Sequence, residues 1–217
     1  MGMIGRRGLL ATGASVLAHR AAMALPVPQG DSLSFRIMRH GSEIGRHVVN
    51  FDRRGNDLTV RIAVDVVVTF ASIPIVRYTH HATESWEGGK LAGLECQTNH
   101  NGQHQSMSAR RNAQGLVVTG SQTATYVAPE NALPTSYWNR AMLDGPMISL
   151  EDGVLLRPNE VTRGVESIRL ASGSTIPATR TDLSGAFNAI VWYDGTGTWA
   201  SLGLTAADGS DVRYERL

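Results

Sequence analysis

Residues 58–70, LTVRIAVDVVVTF, carry the clearest structural pattern in this chain of 217 residues. Every second residue is apolar, from Leu58 through Val60 and Ile62 to Phe70, and the residues between them are mostly polar or small. Successive side chains of a β-strand point to opposite faces, so this period of two predicts a long strand with one buried face. A helix would scatter the same apolar residues around its axis.

The sequence from residue 25 onward continues with short alternating stretches separated by turn residues. Asn101-Gly102 is a strong signal for a two-residue hairpin, because both residues tolerate a positive φ angle. Asp152-Gly153 predicts another hairpin. We therefore predict a single all-β, mainly antiparallel domain over residues 25–217. It would be a curved sheet or an open or closed β-barrel of about ten or more strands.

Residues 128–146 interrupt this pattern with three prolines. Between the prolines, residues 135–143 predict a short helix with Thr135 or Ser136 as its N-cap. A lone helical insert in a β domain is most simply a plug or a lid over one end of the sheet. The insert also carries two aromatic residues, Tyr137 and Trp138.

The first 24 residues resemble an export signal. They contain Arg6-Arg7, a mild apolar run and the small-x-small triplet Ala22-Met23-Ala24. A twin arginine followed by leucines is typical of the pathway that exports folded proteins, which predicts a periplasmic location. The alternative is an N-terminal helix that stays on the protein.

Charge and cysteine content exclude several classes of protein. Residues 1–24 hold three arginines and no acidic residue, which leaves 17 basic and 19 acidic residues in the remainder. This slightly acidic balance argues against nucleic-acid binding. Cys96 is the only cysteine, so no intrachain disulfide can form, and we expect it to be an inert buried thiol. After residue 30, no stretch reaches the roughly 20 apolar residues of a membrane helix, so we expect no transmembrane segment.

The spacing of side chains gives little indication of a metal site or a cofactor site. On a strand, His80 and Glu84 would lie about 13 Å apart, too far to bind one ion unaided. His100 and His104 flank a two-residue turn and would face opposite sides of the sheet. No Gly-x-Ser-x-Gly motif and no glycine-rich phosphate loop is present, so we expect no nucleotide or other cofactor.

Residues 76–86 predict a strand whose apolar face also carries ionisable groups. His80 and Glu84 would share that face with Tyr78 and Trp86. Buried ionisable groups are costly unless paired, which makes them candidate functional groups where they line a cavity. The alternative is that Glu84 pairs with an arginine such as Arg46 or Arg61, or lies at the solvated rim of the sheet.

Several short motifs carry a family resemblance. They are FRIMRHGSEIG (35–45), ESWEGGKL (84–91), TNHNG (98–102), PTSYWN (134–139) and DGSDVRY (208–214). Together they resemble a family of exported proteobacterial proteins of unknown function. The family is similar in architecture to periplasmic lipid and lipoprotein carriers, whose curved antiparallel sheet shelters an acyl chain. The resemblance implies a fold and a compartment, and it brings no catalytic residues.

The leading hypothesis is a periplasmic binding module that holds an apolar or lipid-like ligand on a concave sheet. The alternatives are a small β-barrel enzyme with Glu84 or His80 as general acid or base, and a non-catalytic accessory subunit of a cell-envelope complex. The accessory subunit would dock through an exposed sheet edge such as the strand ending at Leu217. The predicted ligand-binding residues are Tyr78, His80, Glu84, Trp86, Tyr137 and Trp138.

Overall fold

The computed structural model describes residues 25–71, 73–206 and 208–217, without the side chain of Phe70. The predicted export signal, residues 1–24, lies outside the described residues. The described part of the chain is all-β, as predicted, with one short 3-10 helix at Arg140–Asp144. None of its helices has the length and apolarity to cross a membrane.

Sixteen strands follow one another in the described part of the chain. They are β1 (Ser32–Arg39), β2 (Ser42–Arg54), β3 (Asp57–Phe70), β4 (Ile73–Glu87), β5 (Lys90–His100), β6 (Gln103–Asn112), β7 (Gly115–Gly120), β8 (Thr123–Ala128), β9 (Leu133–Pro134), β10 (Met147–Ile148), β11 (Leu155–Leu156), β12 (Asn159–Arg169), β13 (Thr175–Ser184), β14 (Ala189–Asp194), β15 (Trp199–Thr205) and β16 (Asp211–Arg216).

Thirteen of these strands form one antiparallel sheet in the order β12-β13-β14-β15-β16-β1-β2-β3-β4-β5-β6-β7-β8. The first and last strands pair in its middle, where Ile37 lies opposite Tyr214. The strand that ends near Leu217 is therefore not an edge, and the prediction of an exposed edge there is wrong. The edges are β12 and β8, and the sheet does not close into a complete barrel.

The period of two in residues 58–70 is confirmed in β3, where Leu58, Val60, Ile62 and Val64 are all buried. The predicted hairpin at Asn101-Gly102 is also confirmed, with His100 opposite Gln103 and Asn99 opposite His104. Burial of alternate side chains along most of these strands gives one large core on the concave face of the sheet. A smaller buried cluster lies apart from it and consists of Ile168, Ala178, Trp192 and Ala200.

The insert between β8 and β12, residues 129–158, packs against that concave face. Its strands β9, β10 and β11 form a separate small sheet. Trp138, Met142 and Ile148 are almost completely buried, so the insert fills part of the interior as a plug. The predicted N-cap was wrong: Asn139 caps the 3-10 helix, and its side chain accepts a hydrogen bond from the Ala141 amide.

Candidate functional site

The six predicted ligand-binding residues fall into two groups at different heights in the sheet. We call the end that carries the β3–β4 turn the upper end. Glu84 and Trp86 lie in the lower half, and Trp138 of the insert packs against them. His80 lies four residues above Glu84, about 13 Å along the strand, and Tyr78 lies above His80.

The lower group forms a closed anchor for the insert. Oε2 of Glu84 accepts hydrogen bonds from the indole Nε1 of Trp86 at 2.8 Å and of Trp138 at 2.9 Å. The two indole rings pack edge to face in a T-shaped arrangement, with centroids 5.5 Å apart. All three side chains are buried, so in this structure they belong to the packed core and do not line an open pocket.

In the described part of the chain, Glu84 does not pair with an arginine, which was one alternative for this residue. Arg46 pairs with Glu43, and Arg61 pairs with Asp52, so neither arginine reaches Glu84. Burial raises the pKa of Glu84, and the hydrogen-bonding groups of Ser136 and the two indoles only partly oppose that rise. Oε1 of Glu84 has no hydrogen-bond partner of ordinary geometry among the described residues. The carboxyl group is thus sealed from solvent and favours its neutral, protonated form.

Above this anchor, His47 and His80 form a layer of buried imidazoles. Val64 of β3 lies opposite both of them, which places the two histidines at the same height on either side of it. His80 Nδ1 lies 2.8 Å from Thr98 Oγ1, whereas His47 Nε2 is buried and has no hydrogen-bond partner among the described residues. Burial lowers the pKa of His47 to about 3 and that of His80 to about 4. Both rings are therefore neutral at pH 7.

Tyrosines form the next layer. Tyr78 lies opposite Val66, two residues along the strands above the level of Val64 and the histidines. Its hydroxyl donates to Glu151 Oε1 at 2.7 Å, and burial together with that carboxylate raises the pKa of Tyr78. Burial likewise raises the pKa of Tyr137 and Tyr214. The three phenols stay protonated at pH 7; Tyr137 and Tyr214 can donate a hydrogen bond to a ligand, whereas Tyr78, which already donates to Glu151, can accept one.

The insert holds Tyr137 in a strained position. Its φ angle is +62°, a conformation that a bulky residue adopts only when its surroundings impose it. The Tyr193 hydroxyl donates to its carbonyl at 2.8 Å, and the Tyr137 ring stacks on Trp199 with centroids 5.4 Å apart. The fold therefore fixes this phenol next to those of Tyr78 and Tyr214.

Apolar side chains continue the inner surface at the level of the tyrosines and above it. Unlike the sealed lower half, these positions are only half-buried, which shows that the concave face is accessible at the upper end. We call this surface, with the tyrosine and histidine layers below it, the upper cup. Its apolar members are Val66, Val68, Val76, Leu204 and Val212.

Sequence reasoning missed three members of the upper cup. His47 shares a period-two face with Val49 and Phe51 in β2, and this alternation could have identified it. Tyr214 could have been identified in the same way from Val212. Glu151 lies in a turn, and only the folded chain brings it to Tyr78, 73 residues away.

Two open grooves lie on the outer face of the sheet. One of about 530 Å³ is bordered by His81, Glu95 and Gln97, and one of about 390 Å³ is bordered by Arg180 and Trp192. Neither groove contains a predicted ligand-binding residue. In the described ranges, no three His, Cys, Asp or Glu side chains form a group that could hold a metal ion.

Comparison with known proteins places this architecture in a family. The model of a domain of unknown function, DUF6134, matches residues 35–217. The chain belongs to the DUF6134 family. That match covers most of β1, strands β2 to β16, and both the anchor and the upper cup. No curated protein matches the chain.

A solved structure resembles this DUF6134 protein in fold. It is a β-barrel-like protein with a domain of unknown function, DUF1849, from Brucella abortus. The two chains are 11% identical, and the similarity covers 86% of this chain and 94% of the other, with a TM-score of 0.59. At that identity the likeness shows the fold alone.

Proposed function

We propose that this protein is an exported, periplasmic binding module that holds an apolar or lipid-like ligand in the upper cup. One observation carries the proposal: half-buried apolar side chains lie directly above a buried layer of neutral polar groups, on the concave face of an open sheet. The apolar part of a ligand would pack on Val66, Leu204 and Val212, since removing such surface from water is favourable. The export pattern of residues 1–24 supports the location.

The polar layers favour an uncharged head group. His80, Tyr78 and Tyr137 are neutral at pH 7 and offer hydrogen-bond donors and acceptors. The carboxylate of Glu151, already held by Tyr78, disfavours an anionic group beside it. His47 Nε2, buried without a partner, would gain most from a ligand that reaches the floor.

The first test asks whether the protein carries a ligand from its host. Protein purified from cells that express the whole coding sequence would be extracted with organic solvent and the extract analysed by mass spectrometry. We expect a stoichiometric apolar compound. Mass spectrometry of the intact chain would also show whether residues 1–24 are removed.

The second test uses N-phenyl-1-naphthylamine, an uncharged fluorescent probe, on delipidated protein. Val66→Asn places an amide in the cup, whereas Val67→Asn makes the same change on the opposite face of β3. We expect Val66→Asn to weaken probe binding by about tenfold, roughly the loss of one buried apolar contact. Val67→Asn should bind as the wild type does. An empty protein that also fails to bind the probe would refute the proposal.

A further inference from the structure

The β3–β4 hairpin continues past the last ladder pairs that it makes with its two neighbouring strands. Pairing between β2 and β3 ends at Gly45 and Val66, and pairing between β4 and β5 ends at Tyr78 and His100. Residues 67–70 pair only with residues 73–77 of the same hairpin, beginning with Val67 opposite Arg77, and Arg77 alone also hydrogen-bonds to Asn101 in the neighbouring turn. We call this two-stranded extension the arm. At about 3.3 Å per residue it extends roughly 13 Å beyond those last pairs.

The arm is apolar on both faces. No charged residue occurs between Val66 and Val76. Ile73 is 65% exposed, Ile75 55% and Val67 40%, and these are three of only seven exposed large apolar side chains among the described residues. These side chains are exposed to water and are not covered by the core of the sheet. Such a concentration of exposed apolar groups marks an interaction surface.

We propose that the arm inserts into the surface of a lipid bilayer. Its inner side chains, Val68 and Val76, continue the apolar lining of the upper cup, so one apolar surface runs from the tip into the protein. Insertion of the tip would connect this apolar surface to the lipids of the bilayer. The proposal goes beyond ligand binding, because it names the surface that the protein contacts.

Charge placement at the base of the arm fits an anionic bilayer. Exposed Arg77 lies directly opposite Val67, while Asp65, the nearest carboxylate on β3, lies opposite Thr79 and further from the tip. A guanidinium next to an inserted apolar segment can reach the phosphate level of the lipids while its stem stays in the apolar region. Within this hairpin the cation therefore lies nearer the tip than the nearest carboxylate.

Backbone chemistry argues against an added protein strand as the occupant. Pro74, opposite Thr69, lacks the N–H group that a β-ladder needs, and proline is typical of edges that resist pairing. The arm is also strained at its turn, where Ala71 has a φ angle of +46°. Contact with a bilayer surface does not require the residue-by-residue backbone pairing that an added strand would need.

The test is co-sedimentation with vesicles of phosphatidylethanolamine and phosphatidylglycerol, using protein from cells that express the whole coding sequence. The arm variant Ile73→Asp/Ile75→Asp is compared with Val161→Asp/Val165→Asp, which places two carboxylates at exposed valines of β12. We expect the arm variant to lose at least about tenfold in vesicle affinity, and the β12 variant to match the wild type. Circular dichroism checks that both variants fold.

Further outcomes decide the proposal. Arg77→Gln should weaken binding to these vesicles several-fold and have no effect with phosphatidylcholine vesicles. Wild-type protein that does not sediment, or an equal loss in both double variants, would overturn it. So would arm-dependent self-association without lipid. Binding of N-phenyl-1-naphthylamine without vesicles should survive in the arm variant, which separates this proposal from ligand binding in the cup.

Discussion

The carboxyl oxygen Oε2 of Glu84 accepts a hydrogen bond from Nε1 of Trp138 at 2.9 Å, across 54 residues of sequence. Trp86, two residues from Glu84, donates to the same oxygen. One buried acid thus joins the wall of the sheet to the insert that fills its lower half. Because the site is closed to water, the two indole N–H groups have no alternative acceptor there.

Replacing Glu84 should separate hydrogen bonding from packing. Glu84→Ala leaves two buried indole donors unpaired, and we expect it to lower the free energy of unfolding by about 3 kcal/mol. Glu84→Gln keeps an amide oxygen as acceptor and should cost about 1 kcal/mol or less. Urea denaturation followed by circular dichroism measures both. Glu95→Ala, at an exposed position of β5, is the control. Equal losses in the Ala and Gln variants would contradict this account.

The stability of the anchor should depend on pH in a defined direction. Burial raises the pKa of Glu84 above its usual value of 4.5, so the folded state holds this proton more tightly than the unfolded chain. This contribution is complete below pH 4.5 and is lost as the pH rises through the raised pKa. Relative to Glu84→Gln, the wild type should lose up to about 1.4 kcal/mol per pH unit in that window. Parallel profiles for the two proteins would show that Glu84 is not protonated in the fold.

The buried histidines should act in the opposite direction. The pKa of His47 is lowered to about 3 and that of His80 to about 4, against a usual value of 6.5. Their contribution is present above pH 6.5 and is lost as the pH falls toward 4 and 3, because the unfolded chain takes up the protons. The combined slope reaches about 2.7 kcal/mol per pH unit.

Thermal unfolding at pH 7.5 and pH 5 measures this slope. The variant His47→Phe/His80→Gln should show a much smaller drop in melting temperature than the wild type between the two values. Exposed His104 provides the control, and His104→Gln should keep the wild-type drop. A double variant as acid-sensitive as the wild type would place the acid sensitivity in other groups.

The sequence predicted the local features of this fold well. The alternation in residues 58–70 identified the inner face of β3, and the Asn101-Gly102 turn identified the register of β5 and β6. Both depend on side chains a few residues apart, where periodicity and turn chemistry act directly. His80 and Glu84 were correctly placed on the buried face of β4 for the same reason.

Contacts between distant segments could not be predicted in this way. For Glu84 the alternative was an arginine partner or the solvated rim of the sheet, but it pairs with Trp138, because the insert folds back against the sheet. The predicted N-cap was Thr135 or Ser136, but the structure has Asn139 in this role. Thr135 and Ser136 make other contacts, such as the hydrogen bond from the Leu150 amide to Thr135 Oγ1. The pairing of β1 with β16 likewise joins the two ends of the described chain. No local pattern encodes which of many apolar strands meet.

The last prediction concerns the loop that carries Glu151. A Cβ atom on Gly120 would lie 1.8 Å from the carbonyl oxygen of Asp152, so this glycine allows the loop to approach β7. Gly120→Ala must displace the loop, and we expect a loss of about 2–3 kcal/mol in stability. Because the loop positions Glu151 against the Tyr78 hydroxyl, probe binding in the upper cup should weaken several-fold as well. Gly195→Ala, where a Cβ meets nothing within 4 Å, should change neither property. If the Gly120→Ala protein is less stable yet binds N-phenyl-1-naphthylamine as the wild type does, the loop is not part of the binding site. The upper cup would then be formed by the residues of the sheet without Glu151.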